Sequence, residues 1–264
     1  MNDFRQCPLK FRFRVIDKIA EPPSAAALRG TLVHSVLEHL FDLPYYERTE
    51  ANAQAALSTR WEELAAKDQQ LPSIFAAEAD FQEWFESARP LLTAYFKMEN
   101  PKRLQPKGRE QFVNAVLPSG LAIRGVIDRL DAAPNGDLRI VDYKTGKSPR
   151  PEYANQAHFQ MKFYAAAIYY EQGILPKRTQ LVYLGNQRIL TFDPTEQDVD
   201  TVTFELDSAW NQIHERLISA NFEPRTGPLC NWCHFQNICP AFAGIAPEMD
   251  ADGAEQLLTA KRSK

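Results

Sequence analysis

The sequence predicts an α/β fold, and three observations carry the prediction. Residues 125–147 (GVIDRLDAAPNGDLRIVDYKTGK) place two runs rich in Val, Ile and Leu around a Pro-Asn-Gly-Asp turn, the pattern of a β-hairpin. Apolar residues at 28, 32, 33, 36, 37, 40 and 41 recur at helical spacing in the stretch before it, and 152–172 reads as a helix after it. A second hairpin pattern follows at 179–185 and 188–192, with Gly185-Asn186 at its turn.

Residues 1–20 carry Cys7-Pro8 and then alternating basic and aromatic residues, Lys10 to Arg14, which read as a short helix or an extended arm closed by Pro22-Pro23. The helix at 25–42 follows. Residues 50–100 are rich in Ala, Glu, Gln and Leu and are punctuated by Pro72 and Pro90, so two or three helical segments are expected, with Trp61, Phe81, Trp84, Phe85 and Tyr95 as core. Residues 100–108 read as a basic loop, 110–117 as a strand, and Pro118-Ser119-Gly120 as the turn into a strand at 121–131. After the hairpins, 196–220 shows an apolar stripe at Val199, Val202, Leu206, Trp210, Ile213 and Leu217. Residues 224–240 form a loop with Pro and Cys, and the polar tail from Ala246, ending Lys-Arg-Ser-Lys, is expected to be partly disordered.

With 264 residues, 44% hydrophobic and 24% charged, the chain can bury a sizeable core. The net charge of −4 does not by itself point to nucleic acid. Charge is nevertheless clustered: basic at Arg5–Lys18, Lys97–Arg109 and Lys144–Arg150, and acidic at Glu47–Glu99. No apolar run approaches a membrane span and the N-terminus has no signal-peptide core, so no membrane partner and a cytoplasmic location are the expectation.

The hairpin carries the chemistry. Centred on Asn135, it sets Asp128 opposite Asp142, and Lys144 shares a face with Asp142 two residues away. Cross-strand Cβ atoms lie roughly 5 Å apart, where like charges repel. A divalent cation would relieve that repulsion and the lysine could face an anion, which suits metal-assisted phosphodiester hydrolysis. An isolated Asp-x-Lys is ordinarily a solvated surface ion pair, so the second aspartate is what lifts this one above the background. Gly146-Lys147-Ser148 is a decoy: a phosphate-binding loop needs glycine at 141, where Val stands, so no ATP site is expected.

At these residues the sequence resembles the PD-(D/E)XK nuclease superfamily and its RecB-like branch. Arg29-Gly30-Thr31-x-x-His34 is similar to the branch's first motif, Gly125–Arg129 to its second and Asp142–Gly146 to its third, although Ile127 stands where the superfamily name has proline. Gln160 and Tyr164, one helical turn apart, match the helix motif that follows, and Gln156 continues their face. The resemblance implies a restriction-endonuclease-like core, a mixed central sheet flanked by helices, within a single nuclease domain over 1–264. The core covers about 25–44 and 106–222, with a helical insertion at about 45–105. It further implies Mg²⁺ or Mn²⁺ held by His34, Asp128, Asp142 and the Tyr143 backbone carbonyl, Lys144 as the catalytic lysine, and Gln160 and Tyr164 toward substrate. The implied activity is metal-dependent DNA hydrolysis, exonucleolytic on single-stranded DNA or free ends, in repair or recombination beside a helicase or repair complex. A CRISPR-adaptation nuclease trimming spacers, or a non-cleaving DNA-binding subunit, are the alternatives.

Cys230-x-x-Cys233-x5-Cys239 is a compact group, and Cys7 is the only other cysteine. Four cysteines without a secretory signal favour metal over disulfides. Structural zinc usually shows paired knuckles or Cys-His mixtures. Three plus one, with Pro after Cys7 and Cys239, is similar to the iron–sulfur subgroup of this branch, seen in AddB-type subunits. That resemblance implies a 4Fe–4S cluster, with structural Zn²⁺ as the alternative, joining loop 224–240 to Cys7.

Overall fold

The computed structural model describes residues 1–259. In chain order the helices are α1 (Asn2–Gln6), α2 (Pro8–Phe11), a π-helical turn Arg12–Ile16, α3 (Ala25–Leu40), α4 (Glu50–Lys67), α5 (Glu78–Glu86), α6 (Arg89–Met98), α7 (Asn155–Gln172), α8 (Glu196–Ser219) and α9 (Ala251–Thr259). The strands are β1 (Pro106–Val116), β2 (Ala122–Ala132), β3 (Leu138–Lys144), β4 (Arg178–Tyr183) and β5 (Arg188–Phe192). They form one sheet in the order β1-β2-β3-β4-β5. β2 pairs antiparallel with β3, β3 parallel with β4, and β4 antiparallel with β5. This is the expected α/β architecture, a five-stranded mixed sheet flanked by helices. The parallel step has the expected cause: β3 and β4 are joined by α7, and a crossover helix returns the chain in the same direction.

The chain divides into two compact units. The larger holds Pro23–Ala115 and Ile123–Val199, hence the sheet, α3 to α7 and the hairpin. Its sheet has two covered faces. Val141, Tyr143 and Val182 pack with Leu32, Val36, Leu57, Trp84, Leu92 and Tyr95 of α3 to α6. Leu181 and Tyr183 pack with Ala157 and Met161 of α7. The insertion's aromatics are core, as expected: Trp84, Phe85 and Tyr95 are buried and Trp61 and Phe81 pack against them.

The smaller unit holds Met1–Pro22, Val116–Ala122 and the chain from Asp200 onward. Phe4, Leu9, Phe11, Phe13 and Ile16 form its core with Ile213, Leu217, Phe222, Phe235 and Ala254. One expectation needs correction: the basic loop at 100–108 is shorter than read, because β1 begins at Pro106 after a 3-10 turn at Pro101–Arg103. Within the polar tail, Asp250 Oδ1 accepts the Gly253 N–H at 2.5 Å and starts α9. A Cβ on Gly253 would lie 2.2 Å from the Ile16 carbonyl oxygen, so that helix packs backbone to backbone on the π turn. The terminal Lys-Arg-Ser-Lys lies outside the described residues. Among the described residues, no helix is long and apolar enough to cross a membrane.

Candidate active site

The hairpin turn closes on Gly136 with φ 90°, and the Asn135 amide and Asp137 carboxylate bond across it at 2.9 Å. The paired residues of β2 and β3 run from Ala132↔Leu138 to Arg129↔Val141. Extended by one step that register would set Asp128 opposite Asp142, and the Asp128 carboxylate reaches the β3 backbone at the Tyr143 N–H.

Asp142 is 2% exposed. Its Oδ1 accepts from Gln160 Nε2 at 3.1 Å and from the Tyr164 hydroxyl at 3.0 Å, and its Oδ2 lies 2.6 Å from Lys144 Nζ. Burial pushes the Asp142 carboxyl up, the charge of Asp128 adds to this, and Lys144 opposes it. Gln160 Nε2 also reaches the Tyr164 hydroxyl at 3.1 Å, so the two side chains one turn apart act as a single clamp. Gln156, one turn earlier, is exposed.

Asp128 is tied to the backbone. Its Oδ2 accepts the Tyr143 N–H at 2.6 Å and lies 3.4 Å from His34 Nδ1. His34 stands on α3, whose Ser24 cap accepts the Ala27 N–H and whose Leu32, Val33, Val36 and Leu37 are buried. Its Nε2 donates to the Tyr143 carbonyl at 2.9 Å. Both ring nitrogens therefore face acceptors. Burial alone would lower the His34 pKa, but the hydrogen bond and charge of Asp128, with the charges of Asp142 and Glu110, outweigh it and the net shift is upward.

Glu110 is the first residue of the stretch expected as a strand, and nothing in the sequence singles it out. Its donor atom, with those of His34 and Asp128, falls in a group whose members all lie within 4.8 Å of one another. It adopts φ 40°, the left-handed region, which a glutamate rarely occupies and which marks sites under constraint. Burial raises its pKa, and Asp128 adds to the rise. Arg109 beside it donates to the Glu38 carbonyl at 2.7 Å and meets Asp42 at 2.8 Å, fastening the start of β1 to α3. One imidazole and two carboxylates form a donor set that suits a hard divalent cation. Of the ligands expected from sequence, His34 and Asp128 stand in this group and the Tyr143 carbonyl touches it. The Asp142 oxygens are instead engaged by Lys144, Gln160 and Tyr164. A cleft of about 370 Å³ opens over His34 and Glu110, lined by Ala27, Gly30, Thr31, Ser35 and Glu38.

Behind the site, Tyr143 turns its ring into a buried network. Arg129, 1% exposed, bonds Glu99 through both terminal nitrogens at 2.7 and 2.8 Å, Asp131 at 3.2 Å, and the Tyr143 hydroxyl. That hydroxyl donates to Glu99 at 2.9 Å.

In the smaller unit, Cys7, Cys230, Cys233 and Cys239 are free thiols lining one cavity of about 170 Å³. The Arg225 N–H points to Cys7 Sγ and the Gly227 N–H to Cys230 Sγ, each at 3.4 Å. Burial raises the Cys239 thiol pKa, and the other three cysteines add to it. Among the described residues, no three of the sulfurs lie within 4.8 Å of one another.

Comparison with known proteins bears on this arrangement. The chain is 24% identical over 282 residues to the Gene 69 protein of Mycobacterium phage L5, across 92% of this chain and 94% of that one. It is 23% identical over 263 residues to the Gene 69 protein of Mycobacterium phage D29, across 92% and 95%. Its fold is similar to the crystal structure of a "Putative exonuclease" from Eubacterium rectale, with a TM-score of 0.53 and 15% identity over 86% of this chain and 80% of that one. A family model for the PD-(D/E)XK nuclease superfamily matches residues 1–240. That match spans the hairpin with its two aspartates and lysine, the sheet that presents them and the helices on either side, and the chain belongs to the PD-(D/E)XK nuclease superfamily.

Proposed function

We propose that the chain is a metal-dependent deoxyribonuclease that hydrolyses phosphodiester bonds, acting exonucleolytically on single-stranded DNA or free ends in repair or recombination. One observation carries the reading: two hairpin carboxylates, Lys144, His34 and Glu110 converge beside one open cleft. Nucleases of this superfamily use divalent metals. Here His34, Asp128 and Glu110 would hold Mg²⁺ or Mn²⁺, with Asp142 and the Tyr143 carbonyl next to them. Such an ion supplies Lewis acidity toward the phosphoryl oxygens. Lys144 is held at 2.6 Å by Asp142, which fixes its ammonium where it can orient the attacking water and offset charge on the phosphorane-like transition state. The water oxygen bonds to phosphorus, the bridging P–O bond breaks, and the departing oxygen takes a proton. Gln160 and Tyr164 keep Asp142 in place for this and reach the substrate side of α7.

The same reading keeps the chain as a single nuclease domain of the AddB-like branch, with a helicase or repair complex as partner. A 4Fe–4S cluster on Cys7, Cys230, Cys233 and Cys239 would staple the N-terminal helices to the loop at 224–240. All four thiols line one cavity and backbone N–H groups face two of the sulfurs, which suits a metal centre there; structural Zn²⁺ on the same thiols is the alternative.

The test is end-labelled linear single-stranded DNA, linear duplex and a covalently closed single-stranded circle, each incubated with Mn²⁺ or chelator. Degradation of the linear strand with Mn²⁺ and resistance of the circle is the expected result. Equal rates on circle and linear strand would make it an endonuclease, and binding without cleavage would make it a non-cleaving subunit.

A further inference from the structure

We propose a second, non-catalytic site for a nucleic-acid phosphate in the cavity of about 510 Å³ at the start of β3, where Arg103, Arg139, Lys177 and Arg178 converge. The inference rests on the nuclease reading, since the phosphate belongs to the strand being cut or to the nucleotide released from it. The cavity's size falls within the range of ligand pockets.

Its cations come from three separated segments: the 3-10 turn before β1, the first residues of β3, and the start of β4. Nothing in the catalytic arrangement uses them. Two are held in fixed orientation. Arg139 meets Asp131 Oδ2 through Nε at 3.0 Å and Nη2 at 2.7 Å, and Arg178 meets Asp193 through Nε at 2.7 Å and Nη2 at 2.8 Å. Each guanidinium thereby keeps its Nη1 for another acceptor. Arg103 and Lys177 are exposed and have no carboxylate within 4.0 Å among the described residues. Asp131 and Asp137 are the acidic groups of the lining and Asp193 pairs with Arg178, so four cations meet three carboxylates. Asp131 is further shared with buried Arg129, at 3.1 Å from its Nε, which leaves Arg139 undercompensated. A cavity with a fixed fork on two sides and two free cations fits a phosphate.

The cavity also connects to the active site along the chain. Gln105 lines it, Lys107 is exposed, and Glu110 belongs to the candidate metal group. Pro106 to Glu110 is five residues, or four strand steps of ~3.3 Å, at most about 13 Å. One phosphate cannot touch both places, but one DNA strand can. The basic stretch Lys97–Arg109 thus acquires a use.

The experiment measures fluorescence anisotropy of a labelled oligothymidylate with the full-length protein in chelator, at salt between about 50 and 200 mM. Native protein is compared with Arg103→Glu/Lys177→Glu and with the milder Arg103→Gln/Lys177→Gln, each checked by thermal melting. Loss of two phosphate contacts should weaken binding tenfold or more and lower the salt slope by about 1.4, at ~0.7 per contact on a single strand. Thymidine monophosphate and inorganic phosphate are run as competitors. If neither competes while both variants bind more weakly, the phosphate is that of the strand. If the monophosphate binds native protein and not the variants, the phosphate is that of the released nucleotide. Variants that bind strand and monophosphate as the native protein does would overturn the site. Cleavage by the native protein with Mn²⁺ is measured in parallel. Intact cleavage with unchanged variant binding sinks the cavity alone, whereas no cleavage with weakened variant binding sinks the nuclease reading and leaves the cavity standing.

Discussion

Glu99→Ala tests how firmly the network behind the active site holds. Arg129 is 1% exposed and the Glu99 side chain 11%, and they meet through two nearly parallel bonds at 2.7 and 2.8 Å. Removing one partner of a buried pair costs about 3–5 kcal/mol, because the remaining charge stays buried. Arg129 would keep Asp131 at 3.1 Å, but Asp131 also serves Arg139 at 2.7 Å, so one carboxylate would face two guanidiniums. The expected loss therefore sits at the low end, about 3 kcal/mol. At about 2–4 °C per kcal/mol for a chain of this size, Tm should fall by roughly 6–12 °C. The assay is thermal melting by circular dichroism as a function of pH. Burial alone would raise the Glu99 pKa, but the hydrogen bond and charge of Arg129 outweigh it and hold the carboxyl below its ordinary 4.5. A depressed carboxyl contributes its stability above the unfolded value and loses it as pH falls through the folded one. The difference between native and variant should thus be full at pH 7 and shrink below about pH 4.5. Glu99→Gln, which keeps a hydrogen-bonding shape, should fall less. Combining Arg129→Met with Glu99→Leu should recover part of the loss, since a buried pair replaced by apolar groups is often neutral. A Tm for Glu99→Ala within about 2 °C of native at pH 7 would refute the reasoning.

Four further outcomes can be measured. Lys144→Ala should lower cleavage of labelled linear DNA by about 10²–10³-fold while leaving strand binding in chelator intact, because the ammonium serves the transition state; retention of most activity would remove Lys144 from catalysis. Gly185→Ala should lose about 1–3 kcal/mol on melting, since its Cβ would meet the Gly146 carbonyl carbon and oxygen at 2.7 and 2.6 Å and the backbone cannot yield. Gly30→Ala meets only Thr145 Oγ1 at 3.5 Å and should melt at or above native, and lost cleavage with melting unchanged would show that the motif glycine serves close approach of substrate. Cys7→Ser, prepared anaerobically, should lose brown colour, iron and acid-labile sulfide together with thermal stability; colourless native protein with stoichiometric zinc would assign the alternative metal.

What could be read from the sequence was local. The Pro-Asn-Gly-Asp turn specified the hairpin, and its register, extended by one step, would set the two aspartates opposite one another, because side chains alternate with period two. The end of α7 was equally local: Gly173 takes φ 68° as a left-handed cap. What could not be read depends on contacts across the chain. Glu110 begins its strand like any polar residue, and its φ of 40° has no signature in composition. Arg129 in an Asp-Arg pair resembles a surface residue until Glu99, thirty positions away, is seen to bury it. Helix α9 had a signal that polarity masked, an aspartate three residues ahead of Gly253 in a short Ala/Leu stretch.

The hairpin geometry poses an electrostatic problem that the surrounding elements solve. Two carboxylates roughly 5 Å apart repel by about 3 kcal/mol at an effective dielectric of 20. The structure assigns each its own donors: the Tyr143 N–H and His34 serve Asp128, while Gln160, Tyr164 and Lys144 serve Asp142. These donors come from β3 itself, from α3 and from α7. The helix motif that follows β3 therefore has a purpose at the carboxylate, apart from any contact with DNA. Asp142 is nearly inaccessible, and a buried carboxylate stays ionised only where donors replace the water it has lost. Tyr164 and Gln160 are those donors, and their spacing of four follows from the need to aim two side chains of one helix at the same oxygen.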